Sequence, residues 1–127
     1  MPKRIVITGA TGLIGKKLAN SLINRGDEVI IFSRNVEKAR SIFPEATECI
    51  EWNYQQPEKW KSKLENTDAV IQLAGINLFS KRWNDEFKRA VLESREVSTK
   101  NLVDAIKSCS NRPEVFVSAS GIGYYGD

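Results

Sequence analysis

The chain has 127 residues, 41% hydrophobic and 28% charged, which suits one ordinary globular domain with a modest core. It contains no histidine, and Cys49 and Cys109 stand far apart without a CxxC pairing; this excludes histidine-dependent catalysis within the chain and argues against a metal site. A net charge of +3, dispersed among acidic residues, argues against a nucleic-acid partner, and no apolar run nears the roughly 18 residues that span a bilayer, so no membrane partner and a cytoplasmic location are expected.

Arg4 to Thr8 is a short β-branched run that predicts a strand. Leu13 to Arg25 has helical spacing, with Leu18, Leu22 and Ile23 on one side, and Glu28 to Phe32 predicts a second strand. Asn35 to Phe43 reads as a short helix, Thr47 to Trp52 as a strand, Gln56 to Leu64 as a helix and Asp68 to Leu73 as another strand, with Pro44 and Pro57 at element boundaries. The helix pattern is fullest from Asn84 to about Cys109. Asn84 suits the N-cap, Asp85 and Glu86 the positive first turn, and Phe87, Val91, Ser94, Ser98, Leu102 and Ala105 or Ile106 recur at steps of three and four. Pro113 precedes a last strand, Glu114 to Ser118. Strands alternating with helices imply parallel pairing and right-handed crossovers, hence an α/β doubly wound sheet of about five strands in one domain, residues 1–127.

Directly after the first strand comes Thr8-Gly9-Ala10-Thr11-Gly12-Leu13-Ile14-Gly15. In this GxxGxxG spacing Gly9 makes the tight turn, Gly12 lets the backbone approach a pyrophosphate, and Gly15 lets helix and strand pack closely. The freed N–H groups at the helix start form the anion site. A plain glycine-rich turn is the alternative, and the strand-turn-helix-strand context favours a dinucleotide site. Which dinucleotide depends on the end of the second strand, where an acidic side chain would accept hydrogen bonds from a ribose 2′-OH. Asp27 and Glu28 lie at the strand's start, while Ser33 and Arg34 occupy its tip. A guanidinium there suits a 2′-phosphate, which favours NADP with NAD as the alternative. Read more plainly, Arg34 is an exposed cation at a helix start.

With Asp68-Ala69-Val70-Ile71-Gln72-Leu73-Ala74-Gly75 and the closing Phe116-Val117-Ser118-Ala119-Ser120-Gly121-Ile122-Gly123-Tyr124-Tyr125-Gly126 added to the glycine turn, the chain resembles the extended short-chain dehydrogenase/reductases, the NAD-dependent epimerase/dehydratase group. Lys81-Arg82-Trp83, Glu93-Ser94-Arg95 and the Tyr-Tyr-Gly ending are similar to its epimerase-like subgroup, labelled nucleoside-diphosphate-sugar epimerases or cell-division inhibitors. The resemblance implies a Rossmann-like sheet in which Gly9, Thr11, Gly12, Leu13 and Ile14 cradle the pyrophosphate. It also implies that Ser33 and Arg34 meet the adenosine ribose and that Leu73, Ala74 and Gly75 line the crevice, which does not prevent Leu73 and Ala74 from simply ending a buried strand. Ser118 and Ser120 follow the last strand, where the family places a hydroxyl that hydrogen-bonds substrate beside the nicotinamide. Reading back from Tyr125-Gly126 without a gap puts the catalytic hydroxyl position on Gly121, so giving it to Ser120 needs a one-residue shift; plain turn chemistry is the alternative for that serine.

Two departures from the family pattern stand out. The common Asn of the long helix lines up near Arg95, and no Tyr-xxx-Lys occurs, since neither Tyr124 nor Tyr125 is followed by a lysine four positions on. The resemblance therefore implies the N-terminal fragment of a protein about twice as long, truncated before the sixth strand and the substrate lobe. Three functions are compatible: the NADP-binding part of an oxidoreductase or nucleotide-sugar epimerase that acts on an unknown small molecule; a non-catalytic dinucleotide sensor or regulator; and an interaction module forming a homodimer through the long helix. For the first of these, the chain alone is expected to be inactive.

Overall fold

The computed structural model describes residues 2–10, 13–73 and 85–118, and for residues 13, 14 and 85–95 the backbone alone. In chain order the elements are β1 (Arg4–Thr8), α1 (Leu13–Asn24), β2 (Glu28–Ser33), α2 (Val36–Ile42), β3 (Glu48–Glu51), two 3-10 turns (Pro57–Lys59 and Lys61–Leu64), β4 (Ala69–Gln72), α3 (Asp85–Ser108) and β5 (Val115–Ser118). The strands form one sheet in the order β3-β2-β1-β4-β5. Every pairing is parallel, as the alternation of strand and helix implies.

The central strand β1 and its neighbour β2 read Arg-Ile-Val-Ile-Thr and Glu-Val-Ile-Ile-Phe-Ser, almost unbroken apolar runs, because a parallel sheet covered on both faces has no wet side. Successive side chains go to opposite faces. Ile5, Ile7, Val29 and Ile31 join Ala19, Ala39 and Phe43 in one core, with Leu18, Leu22 and Ile23 of α1 packed against it. Val6, Ile30, Phe32 and Val70 join Trp52, Trp60, Leu64, Leu102 and Ala105 in the other. Each Val, Leu, Ile or Phe side chain among them taken fully out of water stabilises the fold by ~1.5–3 kcal/mol. The sheet is thus clamped between the α1/α2 layer and the α3 layer.

Local chemistry sets the ends of the helices. α1 closes with Gly26 N–H donating to the Ile23 carbonyl and Asp27 N–H to the Leu22 carbonyl, a Schellman motif in which Gly26 takes φ 96°. α2 opens on Asn35, whose side-chain oxygen accepts from Lys38 N–H at 3.0 Å. α3 covers 24 residues, about 36 Å at ~1.5 Å per residue; its expected cap, Asn84, lies outside the described residues. Ser98, Leu102 and Ala105 are buried, the side that the periodicity assigned to the core.

The helix expected over Gln56 to Leu64 is instead the pair of 3-10 turns. Trp60 interrupts it with φ −131° and ψ −9°. Its ring is fully buried and edge-on to Phe32 and Trp52, and its Nε1–H donates to the Asn53 carbonyl at 2.8 Å. Trp60 and Leu64 are four residues apart and both buried, so the spacing resembles a helix, but tertiary anchoring of the indole overrides it.

β5 pairs with β4 alone among the described strands. Phe116 packs on the α3 side, while Val115 and Val117 point the other way at 50% and 47% exposure. The lead-in to β5 is held by Glu65, whose two carboxylate oxygens accept from the backbone N–H groups of Ser110 and Asn111 at 2.6 and 2.9 Å.

Candidate functional site at the carboxyl ends of the strands

The pairing registers place Ile50, Phe32, Thr8, Gln72 and Ser118 in one row at the carboxyl ends of the five strands. The strand order reverses between β1 and β4, and it is above such a switch point that open α/β sheets hold their ligands. Leu73, buried just past β4, donates its N–H to the Thr8 carbonyl at 2.9 Å and ties the two strand ends together across the reversal.

Gly9 opens the turn after β1 at φ 77°, a left-handed conformation that costs an ordinary residue about 1–2 kcal/mol. Gly15 lies in the first turn of α1, where an added Cβ would sit 2.6 Å from the Gly9 carbonyl oxygen and 2.7 Å from the Ala10 Cα. Both neighbours are backbone, so α1 approaches the turn as closely as it does because residue 15 lacks a side chain. The backbone of Leu13 and Ile14 belongs to the same first turn of α1. The first glycine of the motif therefore stands where the turn takes left-handed backbone, and the third where close approach leaves no room for a side chain. Thr11 and Gly12, between them, lie outside the described residues, as do Ala74 and Gly75.

At the tip of β2, Ser33 Oγ accepts from Asn35 N–H at 3.1 Å, and the Ser33 carbonyl accepts from Trp52 N–H at 2.9 Å. Arg34 projects into solvent between them. Asp27 is at the opposite end of the sheet, accepting from Lys3 N–H at 3.0 Å and from Arg25 Nε–H at 2.8 Å. The Lys3 N–H, with help from Arg25, holds its carboxyl below the usual carboxylate range. Glu28 begins β2 beside it, so neither acidic side chain reaches the tip.

A buried polar cluster, which the sequence reading missed, lies at the other half of the crevice. Gln72, 1% exposed, accepts at Oε1 from Thr99 Oγ1 at 2.9 Å and from Ser118 Oγ at 3.0 Å, and donates from Nε2 to Ser98 Oγ at 3.1 Å. An unbonded amide there would cost about 1–3 kcal/mol; these bonds remove that cost and join β4, β5 and α3. The signal available in the sequence was a lone amide at the end of an apolar strand. Ser120, Gly121, Tyr124 and Tyr125 lie outside the described residues, as does the side chain of Arg95. Among the described residues no group of three His, Cys, Asp or Glu side chains could hold a metal ion, and no helix is long and apolar enough to cross a membrane.

The model of the NAD dependent epimerase/dehydratase family matches residues 5–127. An epimerase family protein of Staphylococcus haemolyticus is 35% identical over 123 residues, covering 97% of this chain and 39% of the relative. The crystal structure of the human epimerase family protein SDR39U1 with NADPH superposes with TM-score 0.68 at 31% identity, over 96% of this chain and 38% of that one. That of UDP-N-acetylglucosamine 4-epimerase from Bacillus cereus does so with TM-score 0.67 at 29% identity, over 98% and 37%. The chain thus spans well under half the length of these relatives.

Proposed function

The chain belongs to the NAD dependent epimerase/dehydratase family, and on that premise we propose that it holds the cofactor of an oxidoreductase or nucleotide-sugar epimerase, NADP in preference to NAD, with a small molecule as substrate. The observation that carries this reading is the glycine turn: Gly9 left-handed and Gly15 pressed against the Gly9 carbonyl, at the switch point between β1 and β4. Gly9, Thr11, Gly12, Leu13 and Ile14 would take the pyrophosphate on backbone N–H groups at the start of α1, where the helix dipole favours negative charge. Ser33 and Arg34 would meet the adenosine ribose. Leu73, Ala74, Gly75 and Ser118 would line the nicotinamide half, with Ser120 beyond them as the candidate catalytic hydroxyl. The bound nicotinamide supplies hydride chemistry, while these residues supply binding and orientation.

NADP is favoured because the tip of β2, Ser33 and Arg34, presents an exposed guanidinium and carries no carboxylate of its own, and because the human relative was crystallised with NADPH. A charge-assisted bond from Arg34 to a 2′-phosphate is worth about 1.5–3 kcal/mol, a preference of roughly ten- to a hundredfold. Fluorescence titration of the chain with NADPH and NADH is expected to show that preference, and Arg34→Ala to erase most of it. Equal affinities, or a preference unchanged in Arg34→Ala, would refute the assignment.

A further inference from the structure

β4 is Ala69-Val70-Ile71-Gln72. An aliphatic side chain at its last position would extend the apolar face begun by Val70 and would need no partner. The chain carries a primary amide instead, 1% exposed, with its polar atoms shared among three hydroxyls. The carbonyl oxygen Oε1 has no proton to give. Thr99 and Ser118, which both bond to it, must therefore each donate, and together they occupy its two lone pairs. Ser118, an exposed residue at the end of β5, has a single proton and spends it on Gln72, so what its hydroxyl offers the crevice is acceptor capacity.

Position gives that polarity a use. Gln72 ends one of the two strands flanking the switch point, and Ser118 ends the next strand outward. A pyrophosphate on the turn after β1 places one half of a dinucleotide over β2, at Ser33 and Arg34, and the other half over β4 and β5. We infer that Gln72 is a positioning residue for the nicotinamide half of the cofactor: by taking the Ser118 proton it fixes Ser118 Oγ as a hydrogen-bond acceptor, selecting a ligand group that donates, a sugar hydroxyl or a carboxamide N–H. The inference rests on the cofactor reading proposed above.

The test compares NADPH with 2′,5′-ADP, which carries the adenosine half alone. Gln72→Met removes the acceptor at similar volume; Ser118→Ala removes the hydroxyl of an exposed residue and leaves the core intact, so it reports even if Gln72→Met fails to fold. Each single variant is expected to lose about tenfold in NADPH affinity, one hydrogen bond, with 2′,5′-ADP affinity unchanged within about twofold. The double variant should lose no more than either single one, since both remove the same contact. Gln72→Glu keeps an acceptor at the same reach and should recover most of the NADPH affinity. A dinucleotide whose carboxamide is replaced by a methyl ketone tells the two donors apart: weaker binding to wild type alone marks the carboxamide, equal binding the sugar hydroxyl. Additive losses, equal losses on both nucleotides, or wild-type affinity in Ser118→Ala would overturn the inference. Failure of the wild-type chain to bind either nucleotide would instead bring down the cofactor reading and this inference with it.

Discussion

Placing a methyl group on Gly15 probes the glycine turn most directly. The added Cβ would lie 2.6 Å from the Gly9 oxygen and 2.7 Å from the Ala10 Cα, about 0.8 Å inside ordinary van der Waals contact at ~3.4 Å. Since both neighbours are main chain, no side chain can rotate away, and either α1 or the Gly9–Ala10 segment must move. Overpacking of this kind costs about 1–3 kcal/mol, offset by up to ~1 kcal/mol because alanine forms helix better than glycine. For a domain of this size the remainder, about 0–3 kcal/mol at roughly 4 °C per kcal/mol, lowers Tm by up to roughly 12 °C. The displaced segment is the one proposed to take the pyrophosphate, so Gly15→Ala should also weaken NADPH at least about tenfold by fluorescence titration. Gly26→Ala is the control: at φ 96° with nothing within 4 Å of an added Cβ, it carries only conformational strain of ~1–2 kcal/mol, at the opposite end of α1. It should lower Tm comparably and leave NADPH affinity intact. Unchanged affinity in Gly15→Ala, or an equal loss in Gly26→Ala, would show that the close approach does not shape the site.

Three further outcomes follow from the packing and electrostatics. The backbone N–H groups of Asn111 and Ser110 lower the Glu65 pKa below its ordinary 4.5; the stability it contributes is present above that value and lost as pH falls through the depressed one. Amide-exchange protection at Ser110 and Asn111 should therefore drop first as pH falls below 4.5, and Glu65→Gln should remove that pH dependence; protection that falls evenly across the chain would contradict this. Burial raises the thiol pKa of Cys49 and of Cys109, the latter also through Glu65, so both should react slowly with a thiol reagent at about pH 8 and fully in urea, and rapid native reaction at either would show that its pocket opens. Leu102→Ala, at a fully buried α3 position, should cost ~2–5 kcal/mol in urea unfolding, and a loss under ~1 kcal/mol would mean that α3 does not clamp the sheet there.

Local pattern was enough for the parallel sheet, the strand-turn-helix unit and the place of the glycines, because these depend on period-two and three-to-four spacing and on backbone conformations that only certain residues adopt. Ile5 to Ile7 and Val29 to Phe32 are apolar at every step, which already implies a strand covered on both faces, and Gly9 and Gly15 carry their requirement in their missing side chains. The break in the stretch from Gln56 to Leu64 was not legible. Trp60 and Leu64 keep helical spacing, while the Asn53 carbonyl and the Phe32 and Trp52 rings hold the indole where the helix stops. The Gln72 cluster was equally hidden, since its partners lie 26, 27 and 46 residues away. Sequence alone thus determined the strands, their parallel pairing and the glycine turn between the first strand and helix, which short-range sterics and hydrophobic periodicity dictate. Tertiary structure decided which polar side chains meet at the strand ends, because hydrogen bonding depends on which groups the fold brings within roughly 3 Å of one another, and spacing along the chain carries no record of that.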